Sequence, residues 1–306
     1  MPAKGKILVI RGGAIGDFIL TLPVLSALRE HFPDAHIELL GYPNVTSLAL
    51  ASGLAHGSLS IESRALARFF APKGDLDSKL CEYFSQFALI FSYLYDPDKF
   101  FESNVKSCFK GQFICGPHRP SDETVHATDL FLSPLRALAI FDADPQPRLH
   151  LPAPELSSDI WFAIHPGSGS EKKNWPIEAW LEFALALQAR RSGGVLLVGG
   201  EAEGDKLEYL SARLEPNRVK VLRSQPLVEV ARHLQVCSAY IGHDSGISHL
   251  AAALGLKGLI LWGETNAQIW RPRSPDIRLL EADCGLSNLK PQVVLDAFIE
   301  FITRQS

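Results

Sequence analysis

Twice along this chain a continuous apolar run ends in a glycine-rich turn that opens into a helical pattern. The first instance is Lys6–Ile10, KILVI. Apolar residues in succession, without alternation, mark a strand covered on both faces, as in a parallel sheet. Gly12, Gly13 and Gly16 form the turn. Ile15, Ile19, Leu22, Leu25 and Leu28 then recur at helical spacing, predicting a helix from Asp17 to about His31 that Pro23 kinks. His36–Leu40 and Phe87–Tyr95 read as further strands. The second instance begins at Trp161–His165, with Pro166–Ser170 as its turn and Pro176 as the first residue of a helix reaching about Arg191. Strands are expected at Val195–Val198, Ala239–Ile241 and Leu259–Trp262. Helices are expected from Gly246 to Leu254 and from Val293 to Ile302. Strands alternating with helices imply right-handed βαβ units. The expected fold is therefore α/β, with two Rossmann-like doubly wound domains facing across a cleft and ligands at the carboxyl ends of the strands. A proline-rich stretch, Asp142–Ser158, separates the two runs. It sets the expected domains at residues 1–155 and 156–306, the closing helix being free to pack back on the first.

At 306 residues, with 46% hydrophobic and 21% charged, each half can bury a core of its own. A net charge of −4 and the lack of any basic run argue against nucleic acid as a partner. The five cysteines, Cys81, Cys108, Cys115, Cys237 and Cys284, form no CxxC pair and no zinc-like spacing, which suits a reducing compartment. Met1–Lys6 precedes the first strand without room for a signal peptide, and no apolar run approaches the ~18–20 residues of a membrane span. The expected location is cytoplasmic, with at most peripheral contact at the inner face of the membrane.

Four turns carry candidate chemistry, and each has a plainer alternative. Asp17, at the start of the first helix, can act as a general base or can simply cap that helix. The dinucleotide fingerprint GxGxxG is absent, but Glu38, 22 residues beyond Gly16, keeps a nicotinamide oxidoreductase open. His165–Pro176, HPGSGSEKKNWP, places Ser168 and two lysines where they can meet phosphate oxygens, or where they merely face solvent. Glu201 and Glu203 in VGGEAEGD can bind ribose hydroxyls or sit solvated. His243–His249, HDSGISH, presents Asp244 to sugar hydroxyls and the amides of Ser245 and Gly246 to a diphosphate. His249 is either part of that site or a hydrogen-bonded core residue. Three Asp-x-Asp triplets, 75/77, 96/98 and 142/144, could each hold a divalent metal. Only the second follows a clear strand.

Taken together in this order, ILVIRGGAIGDFILTLPVLSALRE, AIHPGSGSEKKNWPIEAW, LLVGGEAEGD and YIGHDSGISHLAAALG resemble glycosyltransferase family 9, the ADP-heptose:lipopolysaccharide heptosyltransferases, from Lys6 to about Pro272. The resemblance implies a two-domain GT-B fold and inverting transfer of heptose from an ADP-sugar to a saccharide or lipid-linked saccharide acceptor. It implies no cofactor and no essential metal. It assigns Asp17 as the base on the acceptor, Lys173 to the donor phosphates and sugar, Glu201 to the adenosine ribose, and Asp244 to the sugar. It sets Ser168, Ser245 and Gly246 at the phosphates, with His249 closing the motif. The chain departs from the family in its Gly-Gly-Ala-Ile-Gly-Asp turn, which elsewhere reads as a Ser-Leu-Gly-Asp type. Residues 52–121, on the acceptor side, show no match. The alternatives to a transferase are the nicotinamide enzyme and a non-catalytic nucleotide-sugar-binding protein.

Overall fold

The computed structural model describes residues 5–72, 75–121, 124–152, 160–282 and 285–303. The chain forms two compact units, Met1–Pro145 and Gln146–Ser306. The expected boundary between residues 155 and 156 lies outside the described residues, as does Cys284. The proline-rich stretch is described as far as Pro152 and forms neither helix nor strand.

The first unit holds strands β1 (Lys6–Arg11), β2 (His36–Gly41), β3 (Gly57–Ser60), β4 (Leu89–Ser92) and β5 (Gln112–Cys115). They form one parallel sheet in the order β3-β2-β1-β4-β5. Its helices are α1 (Ile15–Ile19), α2 (Leu22–His31), α3 (Pro43–Ala51), α4 (Ser78–Ser85), α5 (Phe100–Cys108) and α6 (Ala127–Leu132). β1 is central, and Ile7 to Ile10 are all buried because helices cover both faces. Leu8 and Ile10 join Phe84 of α4, Phe101 and Val105 of α5, and Ile90 of β4 in one cluster. Each such side chain contributes about 1.5–3 kcal/mol by leaving water.

The helix expected from Asp17 to His31 is two helices. Pro23 has no amide for the Ile19 carbonyl, and its ring clashes with that carbonyl in a continuous helix. The chain therefore leaves the helix at Leu20–Thr21 and restarts at Leu22, with Pro23 in the new first turn. Thr21 Oγ1 donates to the Asp17 carbonyl (2.8 Å), and the Val24 amide donates to the Thr21 carbonyl (3.0 Å).

The second unit repeats the scheme with β6 (Trp161–His165), β7 (Gly194–Gly199), β8 (Val219–Arg223), β9 (Ala239–His243), β10 (Gly258–Trp262) and β11 (Ile277–Glu281). All are parallel, in the order β11-β10-β9-β6-β7-β8. Its helices are α7 (Ile177–Arg190), α8 (Lys206–Ser211), α9 (Leu227–Gln235), α10 (Gly246–Ala253), α11 (Ala267–Trp270) and α12 (Pro291–Thr303). Trp180 of α7 meets Trp175 edge-on (5.1 Å) and Phe183 likewise (5.9 Å). Phe298 of α12 packs on Phe183 (5.8 Å) and on Phe162 of β6 (6.1 Å), so the closing helix belongs to this unit's core.

In each sheet the order of strands reverses once, between β1 and β4 and between β6 and β9. At such a point the connections leave in opposite directions and open a crevice beyond the carboxyl ends of the two strands. The turns singled out in the sequence follow β1, β6, β7 and β9.

Candidate active site

In the first unit, β1 delivers the chain into the turn Gly12–Gly16. Gly13 has φ +100°, and a Cβ there would lie 2.7 Å from Asp17 Oδ2. A side chain at this position would therefore be strained and would also displace the carboxylate. With glycine, Asp17 folds back so that Oδ2 accepts the Ala14 amide (3.0 Å). Its other oxygen, Oδ1, lies 3.6 Å from Arg11 Nη2. The Asp17 side chain is 23% exposed, enough to meet a substrate while staying anchored.

In the second unit, β6 and β9 are neighbours with His165 opposite Gly242, so the turns that follow them lie side by side. Ser168 is buried, and its Oγ sits 2.9 Å from both the Ser170 carbonyl and Asn174 Oδ1. The chain then makes a single 3-10 turn at Glu171–Lys173. Pro176 caps α7 rather than opening it, a shift of one residue at an ill-defined end. Lys173 Nζ reaches Asp244 Oδ2 at 2.7 Å, joining two of the sequence candidates into an ion pair. Ser245 is the N-cap of α10, with Oγ accepting the Ser248 amide (3.3 Å), and Gly246 is its first residue. This helix points its positive end at the crevice. His249, within α10, is buried.

Two histidines absent from the candidate set hold these turns. His243 ends β9 and is fully buried. Its Nε2 accepts the Trp175 amide (2.8 Å), so Nδ1 carries the proton and faces the Gly167 carbonyl (3.3 Å). Burial in this apolar setting pushes its pKa down to about 3, so it stays neutral. His165 donates from Nδ1 to the Val198 carbonyl (2.8 Å), and burial lowers its pKa as well. Its Nε2 lies 4.0 Å from Glu203 Oε1.

Glu203 is the buried carboxylate of the turn after β7, and Glu201 is exposed at the same turn. Glu203 Oε2 accepts the Gly200 amide, and its side chain occupies the space a Cβ on Gly167 would need. By sequence Glu201 and Glu203 carry equal weight. The signal that separates them is the return of the chain at Gly204, which has φ +48° and turns Glu203 inward.

Two of the Asp-x-Asp residues hold helix starts, and a third lies near a histidine at the surface. Asp96 accepts the Phe101 amide (3.2 Å) and the Glu102 amide (2.9 Å), one at each oxygen, and so holds the start of α5. Asp77 caps α4 through the Leu80 amide (3.0 Å), and Asp142 lies 3.7 Å from His31. Glu38 stands opposite Leu8, toward the amino end of β2, and accepts from Tyr83 Oη (2.9 Å), Lys6 and His36. A ribose-binding acid of a nicotinamide enzyme belongs at the other end of that strand. Among the described residues no helix is long and apolar enough to cross a membrane.

The sequence profile of glycosyltransferase family 9 (heptosyltransferase) matches residues 140–293, just over half of the chain and all of the turns after β6, β7 and β9. The chain belongs to glycosyltransferase family 9. Lipopolysaccharide heptosyltransferase 1 of Pseudomonas aeruginosa is 36% identical over 94 residues, which cover 31% of this chain and only 26% of that relative. Lipopolysaccharide heptosyltransferase 3 of Escherichia coli K12 is 21% identical over 290 residues, 86% of this chain and 83% of the relative. The structure of E. coli heptosyltransferase WaaC with ADP superposes with a TM-score of 0.77 at 17% identity, covering 97% of this chain and 100% of that one. The fold is thus the α/β, GT-B fold of the family's enzymes.

Proposed function

We propose that this family 9 chain transfers heptose from ADP-heptose to a saccharide of the lipopolysaccharide core. The observation that carries the reading is the Lys173–Asp244 ion pair at the strand-order reversal, beside the N-terminus of α10. A cation, a carboxylate and a helix N-terminus at one crevice match a sugar diphosphate. The helix and the cation suit the phosphates, and the carboxylate suits the hydroxyls. The relatives supply the rest of the identification: two lipopolysaccharide heptosyltransferases, and a heptosyltransferase solved with ADP.

The second unit binds the donor. Ser168, Ser245 and Gly246 serve the diphosphate, Asp244 the sugar, and Glu201 with its buried neighbour Glu203 the ribose. His249 supports α10 from within. The first unit presents the acceptor to Asp17. The carboxylate takes the proton of the acceptor hydroxyl as its oxygen attacks the anomeric carbon from the face opposite ADP, so configuration inverts. The C–O bond to the diphosphate breaks with its electron pair, and Lys173 and the α10 N-terminus offset the charge that develops on ADP. These fixed groups do the work a divalent metal does elsewhere. Asp96, the Asp-x-Asp residue that follows a strand most clearly, already holds α5 with both oxygens. The reaction runs on the cytoplasmic side, where the acceptor lipid faces the enzyme.

Incubation with ADP-heptose and a heptose-free lipopolysaccharide core tests this reading by mass spectrometry of the acceptor. A mass gain of one heptose with release of ADP is the expected result. Failure of ADP to raise the unfolding temperature of the protein would overturn it.

A further inference from the structure

Arg11 is the lone charged residue at the end of the apolar strand β1, and its side chain is 3% exposed. Nη1 donates to the carbonyls of His118 (2.9 Å) and Tyr93 (3.4 Å). Nη2 donates to the Asp17 carbonyl (3.4 Å) and faces Asp17 Oδ1. The guanidinium lies over the rings of Phe131 (4.5 Å) and Tyr93 (5.9 Å), and among the described residues its Nε has no hydrogen-bond partner. Burying a cation with an unsatisfied donor works against folding, and an apolar side chain of similar length would fill the site more favourably. What the guanidinium reaches is the one carboxylate oxygen that no amide holds.

We infer that Arg11 is a positioning residue for Asp17, fixing the plane of the carboxylate so that the free edge of the base meets the acceptor hydroxyl. The inference rests on the reading of Asp17 as the base. An Asp17 anchored only through Oδ2 and the Ala14 amide can rotate about its Cβ–Cγ bond. With Oδ1 held toward Arg11 that rotation is restricted, and both anchors come from residues of the β1 turn. Arg11 touches no reacting atom and acts through Asp17 alone. The guanidinium fork is shaped for this role, with one nitrogen tied to the carbonyls that follow β4 and β5 and the other turned to Asp17.

The test compares Arg11→Met, Arg11→Gln and Arg11→Lys, each alone and combined with Asp17→Asn, using ADP-heptose and the core acceptor. Misplacement of a reacting group by about 1 Å can cost ~10²-fold. Arg11→Met should therefore lower kcat at least about tenfold while KM for ADP-heptose stays within about twofold, and Arg11→Lys, which keeps the charge but not the fork, should recover only part of the loss. In the Asp17→Asn background, Arg11→Met should lower kcat by less than about threefold more, because the two residues act as a unit. Arg11→Gln removes the charge while keeping an amide donor in the site. It carries the same expectation if the Met variant does not fold. A wild-type kcat in the neutral variants overturns the inference. So does an equal fold loss with and without the Asp17 carboxylate, which would leave Arg11 a structural residue and Asp17 still the base. A near-normal rate for Asp17→Asn alone would instead overturn the reading beneath it.

Discussion

His243 makes the second unit sensitive to acid in a way that can be measured separately from the rest of the molecule. Its imidazole titrates near 6.5 in an unfolded chain and at about 3 in the fold, because burial penalises the cation. Between these values the unfolded chain binds a proton that the folded chain does not, so stability falls as pH falls. It is fully present above about 6.5, and the loss continues down to the folded value. At pH 5 the unfolded imidazole lies about 1.5 units below its pKa, which amounts to about 2 kcal/mol lost relative to pH 8. By pH 3 the loss reaches about 4 kcal/mol, close to the whole stability of a small domain. His165 is shifted in the same direction and adds to the slope. His243→Gln removes the titration while keeping a group that can accept from the Trp175 amide and donate to Gly167. All five tryptophans, Trp161, Trp175, Trp180, Trp262 and Trp270, lie in the second unit, so their fluorescence during urea unfolding reports on that unit alone. The variant is expected to be less stable at pH 8 but to lose about 2 kcal/mol less than the wild type between pH 8 and pH 5. Equal losses in the two proteins would show that His243 is not held neutral and that the clamp on Trp175 and Gly167 is misdescribed.

Asp17→Asn should bind ADP as the wild type does and transfer ~10²–10⁴ times more slowly, as loss of a general base requires. Calorimetry and single-turnover kinetics check the two halves of that statement. Lys173→Ala should weaken ADP binding by about 1.5–3 kcal/mol, the range for a charge-assisted hydrogen bond, and its removal leaves Asp244 to face the diphosphate unpaired. Titration of ADP into the variant at wild-type affinity would count against the donor lying there. Transfer should survive EDTA, and replacing Asp96 by Ala should change the stability of the α5 region rather than the affinity for donor. Activity lost to EDTA and restored by Mg²⁺ would reverse that expectation.

The central strands were legible because they are buried on both faces, and Ile7–Ile10, Trp161–Ile164 and Gly258–Trp262 show it as unbroken apolar runs. The outer strands carry no such mark. β3 is GSLS and β8 is VKVLR, one short and polar, the other alternating with charge, because an edge strand has neighbours on only one side. The same cause hid β5 and β11. Pro23 was visible, but sequence alone does not distinguish a kink from a break. The decision lay in Thr21, whose hydroxyl and carbonyl take over the contacts at the gap.

At the candidate site, the residues legible in the sequence are those that face a ligand, since they sit in glycine-rich turns whose composition announces them. The residues that fix those turns were not legible. Only His165 read as the last residue of a strand; Arg11 lay just past the expected end of the first, His243 in the turn after Ile241, and Glu203 was one acid among several. Each is a polar group buried where an apolar one would fold more readily; Arg11 and His243 bond to the backbone of loops they do not belong to, and His165 to the backbone of β7. His243 ties the end of β9 to the loop after β6, and His165 ties the end of β6 to β7. Lys173 and Asp244 can meet at 2.7 Å only because those ties set one turn against the other. Pre-organisation of this kind is what electrostatic stabilisation of a departing diphosphate demands, since groups that must reorganise during the reaction give back much of what they stabilise. A strand-final polar residue with no apolar neighbour to explain it is therefore the sequence signal for such a support. In this chain the structure places Arg11, His165 and His243 at such positions, at the ends of β1, β6 and β9.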